Sequence, residues 1–179
     1  MNAKLTTLAI IAALFSVSSY ASDPVTINVT GNVVASPCTL DTANSTLDID
    51  VGTKQTTDLA AAGAQLGGKA FNIALKDCPA GTTSVMATFT GVDDPSAAPG
   101  NGFKNAGTAT NVTIQLKNAL AGGWNDPNYT IKSGGSWTKA VDTTTNTVVY
   151  NLAARAYTPT GSVAPGTVSA SIVVDFTYQ

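Results

Sequence analysis

The stretch Thr167-Val-Ser-Ala-Ser-Ile-Val-Val-Asp-Phe-Thr-Tyr-Gln179 decides the fold. Apolar and polar residues alternate through it. Side chains alternate across a strand with period 2, so Val168, Ala170, Ile172, Val174, Phe176 and Tyr178 share one face. Ser169, Ser171, Asp175 and Thr177 take the other. No turn and no further strand follow this run, so we expect a core strand with one open side. A second alternating run sits near the other terminus: Val25, Ile27, Val29, then Gly31, then Val33. An open core strand at one end and a spare strand at the other suggest a subunit completed by its neighbour.

Residues 1–21 read as a secretory signal. Lys4 supplies the positive start, residues 5–17 form an apolar run too short to span a bilayer, and Ser19-Tyr20-Ala21 offers small residues at a cleavage site. Stable membrane insertion is therefore not expected. The mature chain would hold eight basic residues against eleven acidic ones, a net charge of −3. It has no basic stretch, so nucleic acid is excluded as an expected partner. All eleven acids are Asp, and the abundance of Thr, Val, Ser, Gly and Asn disfavours long helices. Two cysteines, Cys38 and Cys78, fall in a chain expected to be exported, which argues for a disulfide. Closing that loop stabilises by about 4 kcal/mol in the chain-entropy model.

Strand candidates recur between turn signals: 26–34, 38–40 with 46–51, 70–76, 84–90, 111–116, 146–154 and the terminal run. The stretch 58–65 is the one possible helix. Together they predict a single antiparallel sandwich of immunoglobulin-like size. Setting the first run aside leaves six strands, where a constant-type immunoglobulin sandwich has seven. A missing last strand would leave an edge and a core groove uncovered, a template for a strand from another chain. The pattern alone equally allows 25–33 to be an ordinary first strand of its own domain.

At this point the residues resemble a known family, the chaperone–usher pilins of type 1-like fimbriae. The run from Val25 to Val34 is similar to the donor-strand extension of such pilins, and Ala35-Ser-Pro-Cys-Thr39 to its continuation. Asp77-Cys78-Pro79 resembles the site of the second cysteine. Residues 89–93 and 107–116 look like central strands of the family. Tyr178, penultimate, and Gly166, fourteen from the end, are family marks. The resemblance implies an all-β, incomplete immunoglobulin-like β-sandwich lacking its seventh strand, completed in trans by donor-strand exchange. It implies a signal peptide over 1–21, a donor extension over 22–35 and a pilin domain over 36–179. A periplasmic chaperone would lend a strand beside Val168, Ala170, Ile172, Val174 and Phe176 and bind the Gln179 carboxylate. An outer-membrane usher would exchange that strand for the extension of the next pilin subunit. Val25, Ile27, Val29 and Val33 would be the plugs, and Gly31 the point of close approach. The implied destination is a cell-surface fimbrium, reached through the periplasm.

Other chemistry finds little support. The chain has no His, hence no Ser-His-Asp or Cys-His pair and no His metal site. Neither a catalytic residue nor a cofactor is expected. Asp48/Asp50 and Asp93/Asp94 read as solvated turn carboxylates rather than a calcium site. Trp124, Trp137 and Tyr129 read as core or packed loop rather than a sugar pocket. The competing function is a single-domain secreted adhesin or carbohydrate-binding module with a self-complete sandwich.

Overall fold

The computed structural model of the protein describes residues 25–120 and 122–179, so the expected signal segment lies outside the described residues. Val33–Gln179 form one compact unit, and residues 25–32 lie outside it. The described residues of this unit contain nine strands: β1 Thr39–Leu40, β2 Gln65–Lys76, β3 Ser84–Thr90, β4 Phe103–Lys104, β5 Thr113–Asn118, β6 Thr130–Ile131, β7 Gly135–Ala140, β8 Val148–Tyr157 and β9 Val173–Tyr178. They form two antiparallel sheets. One runs β1-β2-β8-β5-β4, with β6 also paired to β5; the other runs β7-β3-β9.

The pairing follows from the sequence pattern. In β3, Val85, Ala87 and Phe89 alternate with polar residues and are fully buried, as a half-buried strand requires. β2 and β8 form the long ladder, from Gln65↔Tyr157 to Leu75↔Val148, with a bulge between Gly67 and Lys69. Phe71, Ile73, Leu75, Val148, Tyr150 and Leu152 from these strands meet Val85, Ala87 and Phe89 in one core. Tyr150 joins the sheets: its hydroxyl donates to the Val85 carbonyl at 2.7 Å, and burial pushes its pKa up to about 12. Cys38 and Cys78 are bonded, with Cα atoms 4.3 Å apart, clipping β1 to the end of β2.

β5 is buried on both faces, which alternation alone does not predict. Thr113 and Gln115 are fully buried because the segment carrying β4 and the 3-10 turn Pro95–Ala97 covers them. Beside them lies Arg155, which is 6% exposed. Its Nε donates to Gln115 Oε1 at 2.8 Å and its Nη1 to Gln65 Oε1. The Trp124 and Tyr157 rings cover the guanidinium at 4.6 and 4.8 Å. Burial pulls its pKa down to about 10, so it is still a cation at neutral pH.

Several expectations are corrected. Residues 46–51 are not a strand: after the Thr46 amide donates to the Asn72 carbonyl, the segment leaves β2 and has no ladder. The possible helix is a 3-10 turn, Thr56–Leu59, after which β2 starts at Gln65, earlier than expected. β7 was hidden by Gly134-Gly135, which read as loop, and by inward positions that include Lys139. The terminal run is a regular strand only from Val173; before that it hydrogen-bonds to the loop 105–109.

Candidate functional site: a strand-shaped slot

The terminal run forms one wall of an open slot. Val168, Ala170, Ile172, Val174, Phe176 and Tyr178 are each half-buried and the residues between them exposed. The alternation is that of β3, but no inward residue is sealed. The run is anchored at its start by Thr167 and Ser169, whose carbonyls accept from the Ala109 and Ala106 amides at 3.0 and 2.8 Å. Gly166 permits this approach: a Cβ there would stand 2.4 Å from the Ala109 nitrogen. β9 then pairs with β3, from Thr90↔Val173 to Val85↔Tyr178.

Residues 47–54 form the opposite wall. Leu47, Ile49 and Val51 alternate with Asp48 and Asp50; Ile49 and Val51 are half-buried, while Leu47 is exposed at the rim. Gly67, at the β2 bulge with φ +80°, lets this wall sit close: a Cβ would lie 2.8 Å from both the Val51 Cβ and the Val51 carbonyl oxygen. Three connected hollows open between the walls. The first, about 350 Å³, is floored by Phe71, Ile73, Phe89, Leu116 and Leu152. The second, about 450 Å³, adds Ile114 and Ala154. The third, about 350 Å³, ends on Leu59, Leu66, Val112 and Val163 beside Gly166. Beyond Val174 the slot is closed by Phe176, whose ring lies 6.0 Å from that of Tyr150.

The backbone of the slot matters as much as its lining. Among the described residues, neither 47–54 nor 170–172 makes a backbone–backbone hydrogen bond. β9 has a partner on one side only. Two unpaired backbone edges thus face each other across an apolar floor, the arrangement an inserted β-strand would satisfy.

The remaining sequence-derived residues fall as follows. Val25, Ile27, Val29 and Val33 are all more than 80% exposed, and nothing lies within 4 Å of a Cβ built on Gly31. Residues 25–34 contain no regular strand. A terminal oxygen of Gln179 accepts from the Thr83 and Ser84 amides at 2.6 and 3.1 Å. Asp50 and Asp94 accept local backbone amides of Gly52 and Ser96, as turn carboxylates do. Trp137 and Tyr129 line one cavity, whereas Trp124 packs on Arg155. Sequence reasoning took 46–51 for a strand and so missed its role as a slot wall; the alternation of Leu47, Ile49 and Val51 was the available signal.

A sandwich with one strand-long apolar slot beside its last strand has the architecture of a pilus subunit. Solved structures carry the same fold. The P pilus rod subunit PapA matches with a TM-score of 0.58 at 20% identity, covering 80% of this chain and 100% of that one. A chaperone–usher pilus matches with a TM-score of 0.58 at 21% identity, covering 89% and 98%. The chain belongs to the fimbrial protein family, whose model matches residues 27–179. It is 36% identical to Protein FimG of Escherichia coli (strain K12) over 172 residues, 96% of this chain and 95% of that protein. The fimbrial-like protein YdeR of the same strain is 37% identical, with the same coverage.

Proposed function

We propose that the protein is a structural subunit of a chaperone–usher fimbria that polymerises by donor-strand exchange and so supports adhesion of the cell that bears it. The observation that carries this reading is the slot with two unpaired backbone edges. From Gly166 to Val174 it is eight residue steps long, about 26 Å at the rise of a strand. From Val25 to Val33 is also eight steps. Inserted antiparallel to the last strand, the extension of another subunit would complete the ladder, and Val25, Ile27, Val29 and Val33 would fill the hollows. Burying four aliphatic side chains contributes on the order of 6–12 kcal/mol, offset in part by ordering the segment. Gly31, which has no side chain, would be the point of close approach.

The way the chain leaves its own domain supports a donor in trans. Thr82 Oγ1 donates to the Ser36 carbonyl at 3.1 Å, and Tyr178 Oη to the Cys38 carbonyl at 3.4 Å. Residues 36–38 are therefore pinned beside the end of β9. An extension starting there can run back along its own β9 only in the parallel sense. Antiparallel insertion places Val33 at the Gly166 end, which only another subunit's extension can reach.

Before assembly the slot is an aggregation hazard. A periplasmic chaperone would cover it with a strand of its own and grip the Gln179 carboxylate, of which one oxygen is already held by Thr83 and Ser84. An outer-membrane usher would then exchange donors. This reading divides the chain into a signal over 1–21, a donor extension over 22–35 and a pilin domain over 36–179. The half-exposed inward face of β9 speaks against a self-complete adhesin.

The test is a thermal melt of the oxidised domain 36–179 with and without a peptide of residues 22–34. A large rise in Tm is expected. A cooperative, high-melting domain that ignores the peptide would mean that the sandwich is already complete.

A further inference from the structure

The sandwich has a second cavity, at the flank away from the slot. It lies between β6 and β7 and measures about 480 Å³. β7 and β9 are opposite edges of the three-stranded sheet, so a strand in the slot leaves this flank open. We propose that it is a saccharide-binding cleft that takes a hexopyranose unit.

The lining chemistry argues for this class. A pyranose ring presents apolar C–H faces and a rim of hydroxyls, so its site needs an aromatic surface ringed by hydrogen-bonding groups. Tyr129 (38% exposed) and the half-buried Trp137 supply the rings. Trp137 is held by edge contact with Tyr150 at 5.5 Å and by the Lys139 ammonium 5.6 Å from its centroid. Around them lie Asn118, Asn128, Lys132 and Ser136. The side chains of Asn128, Lys132 and Ser136, the Asn118 amide nitrogen and the Tyr129 hydroxyl have no partner among the described residues. Two other lining residues, Asn101 and Thr130, are committed to the wall. The Asn101 amide donates to the Pro127 and Thr130 carbonyls at 3.0 and 2.8 Å, and its backbone N–H to Thr130 Oγ1 at 2.8 Å. The frame is thus rigid while the polar rim is uncommitted, which is the preorganisation a weak ligand needs. No carboxylate lines the cleft.

Part of the backbone bordering the cleft is paired, Asn118 with Tyr129, Gly134 with Phe89 and Gly135 with Lys132, while the outer edge of β7 is open. What sets the cleft apart from the slot is its lining of amides and hydroxyls around two rings.

The test uses fibres assembled from the full mature chain and saturation-transfer NMR with three probes at millimolar concentration: methyl mannoside, lactose and sialyllactose. Transfer to the ring protons of at least one sugar is expected. Tyr129→Ala should weaken it by about tenfold or more, and Tyr129→Phe should largely restore it. Transfer that only sialyllactose shows would mean that the Lys132 ammonium selects an acidic sugar in the same cleft. Tyr129 also packs against Gly122, so Asn128→Trp, which crowds the cleft from an exposed loop position in its lining, serves as a second variant and should abolish transfer. No transfer from any of the three sugars, or transfer that survives Asn128→Trp, would overturn the proposal.

Discussion

The two flanks of the sandwich share β3 and β5 and end in opposite chemistry. On the β9 flank the lining is apolar, with Thr46 the one polar side chain around the first hollow, and the bordering backbone is unpaired. On the β7 flank the lining is rich in amides and hydroxyls, and part of the bordering backbone is paired although the outer edge of β7 is open. Ser133 Oγ, for example, donates to the Gly91 carbonyl at 2.6 Å. Phe89 touches both hollows and is 1% exposed. A cavity's size therefore says little about its ligand; the polarity of the lining separates an apolar strand acceptor from a small-molecule cleft.

Substitutions that act on one flank only can break this comparison. The largest effect is expected from Ile172→Asp, which puts a carboxylate on the slot wall: the domain should show no Tm rise with the peptide of residues 22–34, and fibres should not form. Ser136→Asp on the other flank should leave both unchanged. Gly31→Val should act like Ile172→Asp while leaving subunit folding intact, since nothing lies near Gly31 within its own chain; normal fibre assembly by this variant would defeat the close-approach role. Replacing Cys38 and Cys78 by Ser should cost about 2–5 kcal/mol in denaturant unfolding of the domain and lower the yield of chaperone-bound subunit. Gly67→Ala should cost about 1–2 kcal/mol and weaken peptide capture, because both the left-handed backbone and the Val51 wall resist a Cβ. The smallest effect should come from pH. The Tyr150 hydroxyl has a raised pKa of about 12, so its contribution is present below pH 10 and is lost as pH rises towards 12. Arg155, whose pKa is depressed to about 10, opposes it, since its burial penalty lifts above that value. Tyr150→Phe should therefore flatten the alkaline loss of Tm.

The slot was legible because period-2 alternation survives in a strand whatever covers its other side. The disulfide was legible because two cysteines in an exported chain leave one pairing. What stayed hidden depended on contacts distant in sequence. β4 and β6 are two residues each, too short for any period. β5 looked one-faced because nothing local announces that residues 95–104 fold over Gln115. Tyr129, Trp137 and Trp124 could be singled out, but only the fold shows that the first two share a cavity while the third covers Arg155. The lone Arg within Tyr150-Asn-Leu-Ala-Ala-Arg-Ala-Tyr157 was the available hint of a buried cation.

The pinning of residues 36–38 beside the end of β9 has a mechanical consequence. In a fibre joined as proposed, tension reaches each subunit through Ser36 and leaves along the strand lodged in its slot. At the entry point the pull meets a covalent bridge, Cys38–Cys78, so the first strand cannot be peeled from β2. At the exit the lodged strand is drawn along its own axis, and its rungs resist together in shear instead of opening one after another. Such a fibre yields last at its joints.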